Sequence, residues 1–270
     1  MDKVKKYYIF GGCSFTAMPN SWARRLQQLI NPDYADVVAC AGGGNNIVAN
    51  RVLFEANRVT QEGYKPVITI MWTHPGRVDH PLDSRETPYY KVLFDQNKKD
   101  KDNFNPTPVG DSWWLLDCGN ADVDFTRIHD ETRHDYVKAF KSFKKYLWNS
   151  TSQWNKTLQA ILLIQSICEA NNWEYEFTVF NEFMKYYVHL NKSMPGLSNF
   201  VKWDKFTFTN DDYGGLREYT LDNLNTWDDG YDCHPSHEAQ KDFLDNFWLV
   251  RHSKMYENSR LADSLRNKYA

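Results

Sequence analysis

The sequence predicts an α/β protein: a parallel sheet covered by helices on both faces, with a long insertion after the third strand. Three observations predict it. Short apolar runs alternate with helix-periodic segments through the first third of the 270 residues. Those runs are continuous blocks, the pattern of strands buried on both faces. From residue 74 to 130 the rhythm stops: the chain turns polar, carries prolines at 75, 81, 88, 106 and 108, and holds the charged stretch NKKDKDN at 97–103.

Lys5–Phe10 is an apolar run ending in Gly11-Gly12, a buried strand entering a tight turn. Trp22, Leu26, Leu29 and Ile30 follow at helical spacing. A second strand is expected at Ala35–Cys40, running into Gly42-Gly43-Gly44, and from Asn46 a helix carries Ile47, Val48, Val52, Leu53 and Val59. Lys65–Trp72, β-branched and continuous, is the strongest strand signal. A structureless loop as long as 74–130 is uncommon inside a compact domain. It reads instead as an insertion or cap over the sheet edge, with local structure at Ser112–Leu116. Helical spacing resumes at Tyr136–Trp148 and at Trp154–Ala170, where Leu158, Ile161, Leu162 and Gln165 share a face. Tyr175–Phe180 is a fourth strand and Val201–Phe208 a fifth. Ser236–Val250 carries Ala239, Phe243, Phe247 and Val250 on one stripe, and Met255–Lys268 forms a last helix.

One domain over 1–270, with 74–130 inserted in it, accounts for the length. Lys plus Arg number 32 against 35 for Asp plus Glu, a net −3 without a dense basic run. That balance argues against a nucleic-acid partner held by phosphate neutralisation. No apolar run approaches the ~18–20 residues that span a bilayer, and mean hydropathy is −0.68, so no membrane partner is expected. The apolar stretch Tyr7–Phe10 is too short for a signal-peptide core. Cys13, Cys40, Cys118, Cys168 and Cys233 are odd in number and form no CxxC pair, which reads as reduced thiols from a cytoplasmic synthesis. Aromatic residues reach 16%. Trp22, Phe54, Phe243 and Phe247 are assigned to the core. Tyr89, Tyr90, Trp113, Trp114 and Trp203 fall in irregular segments, where they pin the insertion to the core or stack on sugar faces.

Two segments carry chemistry. Gly11-Gly12-Cys13-Ser14-Phe15-Thr16 places a serine where the first strand ends, at the carboxyl edge where open α/β sheets bind ligands. The helix that follows points its amides toward a developing oxyanion; the simpler role for Ser14 is to cap that helix. Asp232-Cys233-His234-Pro235-Ser236 holds a histidine between a proline and a helix start, with an acid two residues earlier to orient the imidazole. The simpler reading there is a capped helix with His234 packed beneath it.

In chain order, the Gly-x-Ser turn, the Gly-Gly-Gly-Asn turn after the second strand and the Asp-x-His-Pro segment resemble the SGNH/GDSL hydrolase superfamily, over roughly residues 5–77 and 228–250. The resemblance implies a flavodoxin-like three-layer α/β/α sandwich of about five parallel strands, and an esterase, lipase or carbohydrate deacetylase. It implies Ser14 as nucleophile, His234 as general base and Asp232 as the orienting acid. The Ser14 amide and the turn at Gly44-Asn45 are the implied oxyanion donors. Three positions depart from the family pattern. The first motif reads GCSFT; the segment Trp72–Arg77 lacks the family's asparagine donor, leaving Asn45, Thr73 and His74 as replacements; and Tyr231 stands where the acid usually lies. Asp229 is a second choice of acid, and a Ser–His dyad a third arrangement. Gly110-Asp111-Ser112 spells the family's tripeptide but follows the Pro-rich NPTPV, so it reads as coincidence.

No His, Asp or Glu set has metal-ligand spacing, and Gly42–Gly44 lacks the GxGxxG pattern, so no metal and no cofactor are expected. The expected function is hydrolysis of a small ester, an O-acetyl group on a carbohydrate by preference; a lipase would carry a greasier cap. The competing class is a fold retained as a binding or structural module, for example in a virus particle.

Overall fold

In the computed structural model, which describes residues 5–40, 43–81, 113–117, 142, 145–147, 149–185, 196–224 and 234–256, the amino-terminal apolar run lies inside a parallel sheet. β1 (Lys6–Gly12) is buried from Tyr7 onward. It is flanked by β2 (Ala35–Val37) and β3 (Lys65–Trp72), and β6 (Glu174–Val179) lies outside β3. All three pairings are parallel. The order β2–β1–β3–β6 is that of a doubly wound, flavodoxin-type sheet.

Alternation along β1 explains the two covered faces. Phe10 meets Trp22 of α2 (Trp22–Ile30) edge to face at 6.0 Å, and Tyr8 meets Tyr256 at 5.6 Å. On the opposite face Gly11 lies against α3 (Asn45–Gln61), where a β-carbon would come within 2.5 Å of Val52 Cγ2. A bare backbone at Gly11 therefore lets the helix settle onto the strand. α4 (Ser150–Ala170) packs beside α3, and α5 (Leu216–Leu224) follows β6 in the chain. The α2 face is completed by α6 (His237–Asp242) and the π-helical turn Phe243–Trp248, whose Phe243 and Trp248 lie 6.3 and 5.6 Å from Trp22.

β4 (Arg77–Pro81) and β5 (Trp113–Asp117) form a separate antiparallel pair leaving the carboxyl end of β3. β5 coincides with the local structure expected at Ser112–Leu116. Elsewhere the structure departs from expectation. The fifth strand at Val201–Phe208 is reduced to a single parallel bridge, Phe177 to Phe206, because Trp203–Lys205 coil into a 3-10 turn. Trp203 is packed on the core, tilted against Phe206 at 5.2 Å. Phe54, assigned to the core, is 38% exposed, and Leu29 of the α2 repeat is 41% exposed. The pair Tyr89-Tyr90, the tripeptide Gly110-Asp111-Ser112, Asp229, Tyr231, Asp232, Cys118, Cys233, most of Tyr136–Trp148 and the helix expected beyond Tyr256 lie outside the described residues. Among the described residues no helix is long and apolar enough to cross a membrane.

Candidate active site

The turn after β1 is built by its glycines. A β-carbon on Gly12 would overlap the Thr16 side chain, so only glycine lets the chain fold back at once into the one-turn helix α1 (Ser14–Ala17). Cys13 then faces the core with no exposure, while Ser14 beside it is half-buried and reaches the surface at the carboxyl end of β1. Thr16 and Ala17 donate their N–H groups to Cys13 O at 3.0 and 2.9 Å, which leaves the Ser14 N–H at the open first turn of α1.

His234 is brought to this turn from the other end of the chain. Ser236 caps α6, accepting from Ala239 N at 3.2 Å. One turn on, Gln240 bridges the two segments: its Oε1 accepts from Trp22 N at 3.1 Å and its Nε2 donates to Phe15 O at 3.3 Å. Asn20 and His237 also meet at 3.1 Å. Held this way, the His234 ring lies 4.8 Å from the ring of Phe15, the residue after Ser14. Phe15 stacks in turn on Phe180 at 4.8 Å, Phe180 neighbours Phe183 at 6.1 Å, and His74 meets Phe183 at 6.0 Å. An aromatic wall thus runs along the carboxyl edge of the sheet from the Ser14 turn toward the end of β3. Among the described residues Ser14 Oγ and the His234 ring are not hydrogen-bonded to each other, and Asp232 lies outside those residues.

The second turn approaches Ser14 through the backbone. Cys40 N donates to Gly12 O at 2.9 Å, and Gly43 N to Cys40 O at 2.9 Å, so the segment leading to Gly44-Asn45 lies beside the end of β1. Neither the Gly44 nor the Asn45 N–H is bonded among the described residues, and Gly44 offers α3 no side-chain cap. The Asn45 side chain is committed elsewhere: Nδ2 donates to Thr73 O and to Thr157 Oγ1, both at 2.9 Å, while Oδ1 accepts from Thr73 N at 3.0 Å. Its amide group and the Thr73 N–H therefore satisfy each other. What this turn can offer an oxyanion is backbone, from Gly44 and Asn45. His74 Nδ1 accepts from Gly76 N at 2.8 Å.

Ser14, His234 and the Gly44-Asn45 backbone are thus gathered along one sheet edge. Gln240 and Thr157, which hold the segments together, carry no sequence signal, since an isolated Gln or Thr in a helix reads as a surface residue. Among the described residues no group of three His, Cys, Asp or Glu side chains is placed to hold a metal ion. No family model matches the chain, and neither a curated protein nor a solved structure does.

Proposed function

We propose that the chain is an SGNH-like serine hydrolase that cleaves a small ester, with an O-acetylated carbohydrate as the preferred substrate. The observation that carries this is a half-buried serine at the end of β1, on the same sheet edge as two backbone amides, Gly44 and Asn45, that are unbonded among the described residues, with a histidine packed against its neighbouring residue. Ser14 Oγ attacks the ester carbonyl as His234 takes its proton; Asp232 orients the imidazole. The Ser14, Gly44 and Asn45 amides receive the oxyanion. His234 returns the proton to the departing alcohol, then activates the water that releases the acid from Ser14. Serine and imidazole come into hydrogen-bond reach in the substrate complex, where such bonds commonly tighten.

A fluorophosphonate probe tests the nucleophile. The folded protein is expected to be modified at Ser14, read by peptide mass spectrometry, with modification lost in Ser14→Ala and slowed at least about a hundredfold in His234→Ala, in line with general-base contributions. The unbonded Ser14–His234 pair favours one rival, a catalytically silent binding module. An unlabelled, folded protein would establish that rival. Faster cleavage of long-chain esters than of acetylated sugars would overturn the carbohydrate preference.

A further inference from the structure

Arg51 is the only buried lysine or arginine among the described residues, at 2% exposure. It stands in α3 six residues after Asn45, about 9 Å further along the axis. Val48 and Val52 of the same helix are buried against Gly11 of β1. An apolar side chain at position 51 would pack there without the desolvation that a charge brings. What a guanidinium adds is length and several donors in one plane. Its Nη1 donates to Ala39 O at 3.0 Å, two residues beyond the end of β2.

That bond closes a frame around the turn that precedes α3. On the β3 side, the Asn45 side chain is tied to the Thr73 backbone and, through Thr157, to α4. On the β2 side the tie is Arg51. β1 runs between those two strands and ends at the Ser14 turn. The amino end of α3 is therefore pegged on both flanks of the strand that delivers the serine. Inside the frame Cys40 N donates to Gly12 O and Gly43 N to Cys40 O, both at 2.9 Å, and Val48 N donates to Gly44 O at 3.2 Å. The Gly44 and Asn45 N–H groups are unbonded among the described residues, so the frame, and not a bond of their own, sets where they point.

We propose that Arg51 is a positioning residue: it clamps the Gly44-Asn45 turn to the end of β2, and so holds the two amides where the oxyanion on the Ser14 adduct forms. Its role in the reaction rests on the hydrolase reading above; the clamp itself does not. Arg51 touches no substrate. It acts through the backbone that it fixes, and a shift of about 1 Å in such donors costs on the order of a hundredfold in rate. The oxyanion exists only beyond the ground state, so the loss falls on kcat and leaves KM in place.

Arg51→Met and Arg51→Lys, set beside the native chain, test this with p-nitrophenyl acetate kinetics and amide hydrogen exchange. Arg51→Met is expected to lower kcat at least about tenfold with KM within about twofold. Exchange of the bonded Cys40, Gly43 and Val48 amides should rise about tenfold, while exchange across β3 stays at the native rate. Arg51→Lys, whose ammonium can still donate to one carbonyl, should fall between native and Arg51→Met in both readouts; it carries the comparison if Arg51→Met does not fold. Native exchange in the variants overturns the clamp, as does a rise shared equally by β3, which marks a brace of the whole sheet. Raised exchange with an unchanged kcat overturns the role in the reaction. Locally raised exchange beside a native chain that cleaves no ester upholds the clamp and refutes the hydrolase. Native exchange and a native kcat in Arg51→Met, with the ester cleaved, do the reverse.

Discussion

Asn45 shows how one side chain can hold a site without touching chemistry. Its three hydrogen bonds reach Thr73 at the end of β3 and Thr157 in α4. Asn45→Ala leaves a buried carbonyl, amide and hydroxyl unpaired, at roughly 1 kcal/mol each. Urea denaturation should therefore show a loss of about 3 kcal/mol. A loss under about 1 kcal/mol would mean that water or a neighbour replaces the amide. The partners lie 28 and 112 residues away in the chain, which is why the sequence marked Asn45 as an oxyanion donor in a glycine-rich turn and not as a brace between β3 and α4. Ser14 was legible for the opposite reason. Gly11 and Gly12 lie three and two residues before it, and both are required by contacts that a β-carbon would spoil. Cys13 and Ser14 point to opposite sides of the turn, as neighbours there must, and that settles which of the two faces solvent.

Among the elements, the carboxyl-terminal helix shows where periodicity misleads. Ala239, Phe243 and Phe247 are buried as their spacing predicts, but Val250 is 51% exposed and Leu249 takes its place at 3%. The π-helical turn Phe243–Trp248 accommodates an extra residue, which rotates everything beyond it relative to a 3.6-residue repeat. A stripe extrapolated through that turn lands on the wrong residue. The expected strand at Val201–Phe208 failed on similar ground: its apolar residues do pack on the core, but the 3-10 turn at Trp203–Lys205 interrupts the pleat. β1 and β3 were read correctly because a strand buried on both faces needs an unbroken apolar run. The ring of Trp22 joins these layers, touching Phe10 of β1 and Phe243 and Trp248 of the π turn. Trp22→Ala is expected to cost about 3–5 kcal/mol, read from the urea midpoint. A cost below about 1 kcal/mol would show that the π turn collapses into the space.

At the scale of the molecule, two half-buried titratable groups set opposing pH dependences. Burial, then Arg251 and Lys205, push His252 down to about 4; its Nε2 lies 2.8 Å from Thr207 Oγ1. Its contribution to stability is present above the ordinary imidazole range and is lost as pH falls toward 4. Burial, then the neighbouring Glu55, push Asp36 up to about 6, with Tyr7 and Arg58 opposing. Its contribution is present below the ordinary carboxylate range and is lost as pH rises through 6. Between pH 4 and 6 the two run against each other. Replacing one should expose the slope of the other. Relative to the native chain, His252→Asn should make stability fall with rising pH across that window, and Asp36→Asn should make it rise. Urea midpoints at pH 4.5 and 5.5 decide it; two variants that shift in parallel would show that other groups control the window.

The pairing of β4 with β5 sets Pro81 directly across from Trp113. Residues 82–112 thus begin and end, in sequence, beside that pair, so they can be excised at a single point. A short Asn-Gly link across that pair closes an antiparallel ribbon without stretching either strand. The excised chain is expected to keep the native urea midpoint and to retain fluorophosphonate reactivity at Ser14, while its choice among esters changes. A drop in the midpoint would show that the excised residues contribute to stability. If the expectation holds, the protein divides into a fixed chassis that performs the reaction and an exchangeable module that decides which molecule is presented to it, and the two can diverge independently.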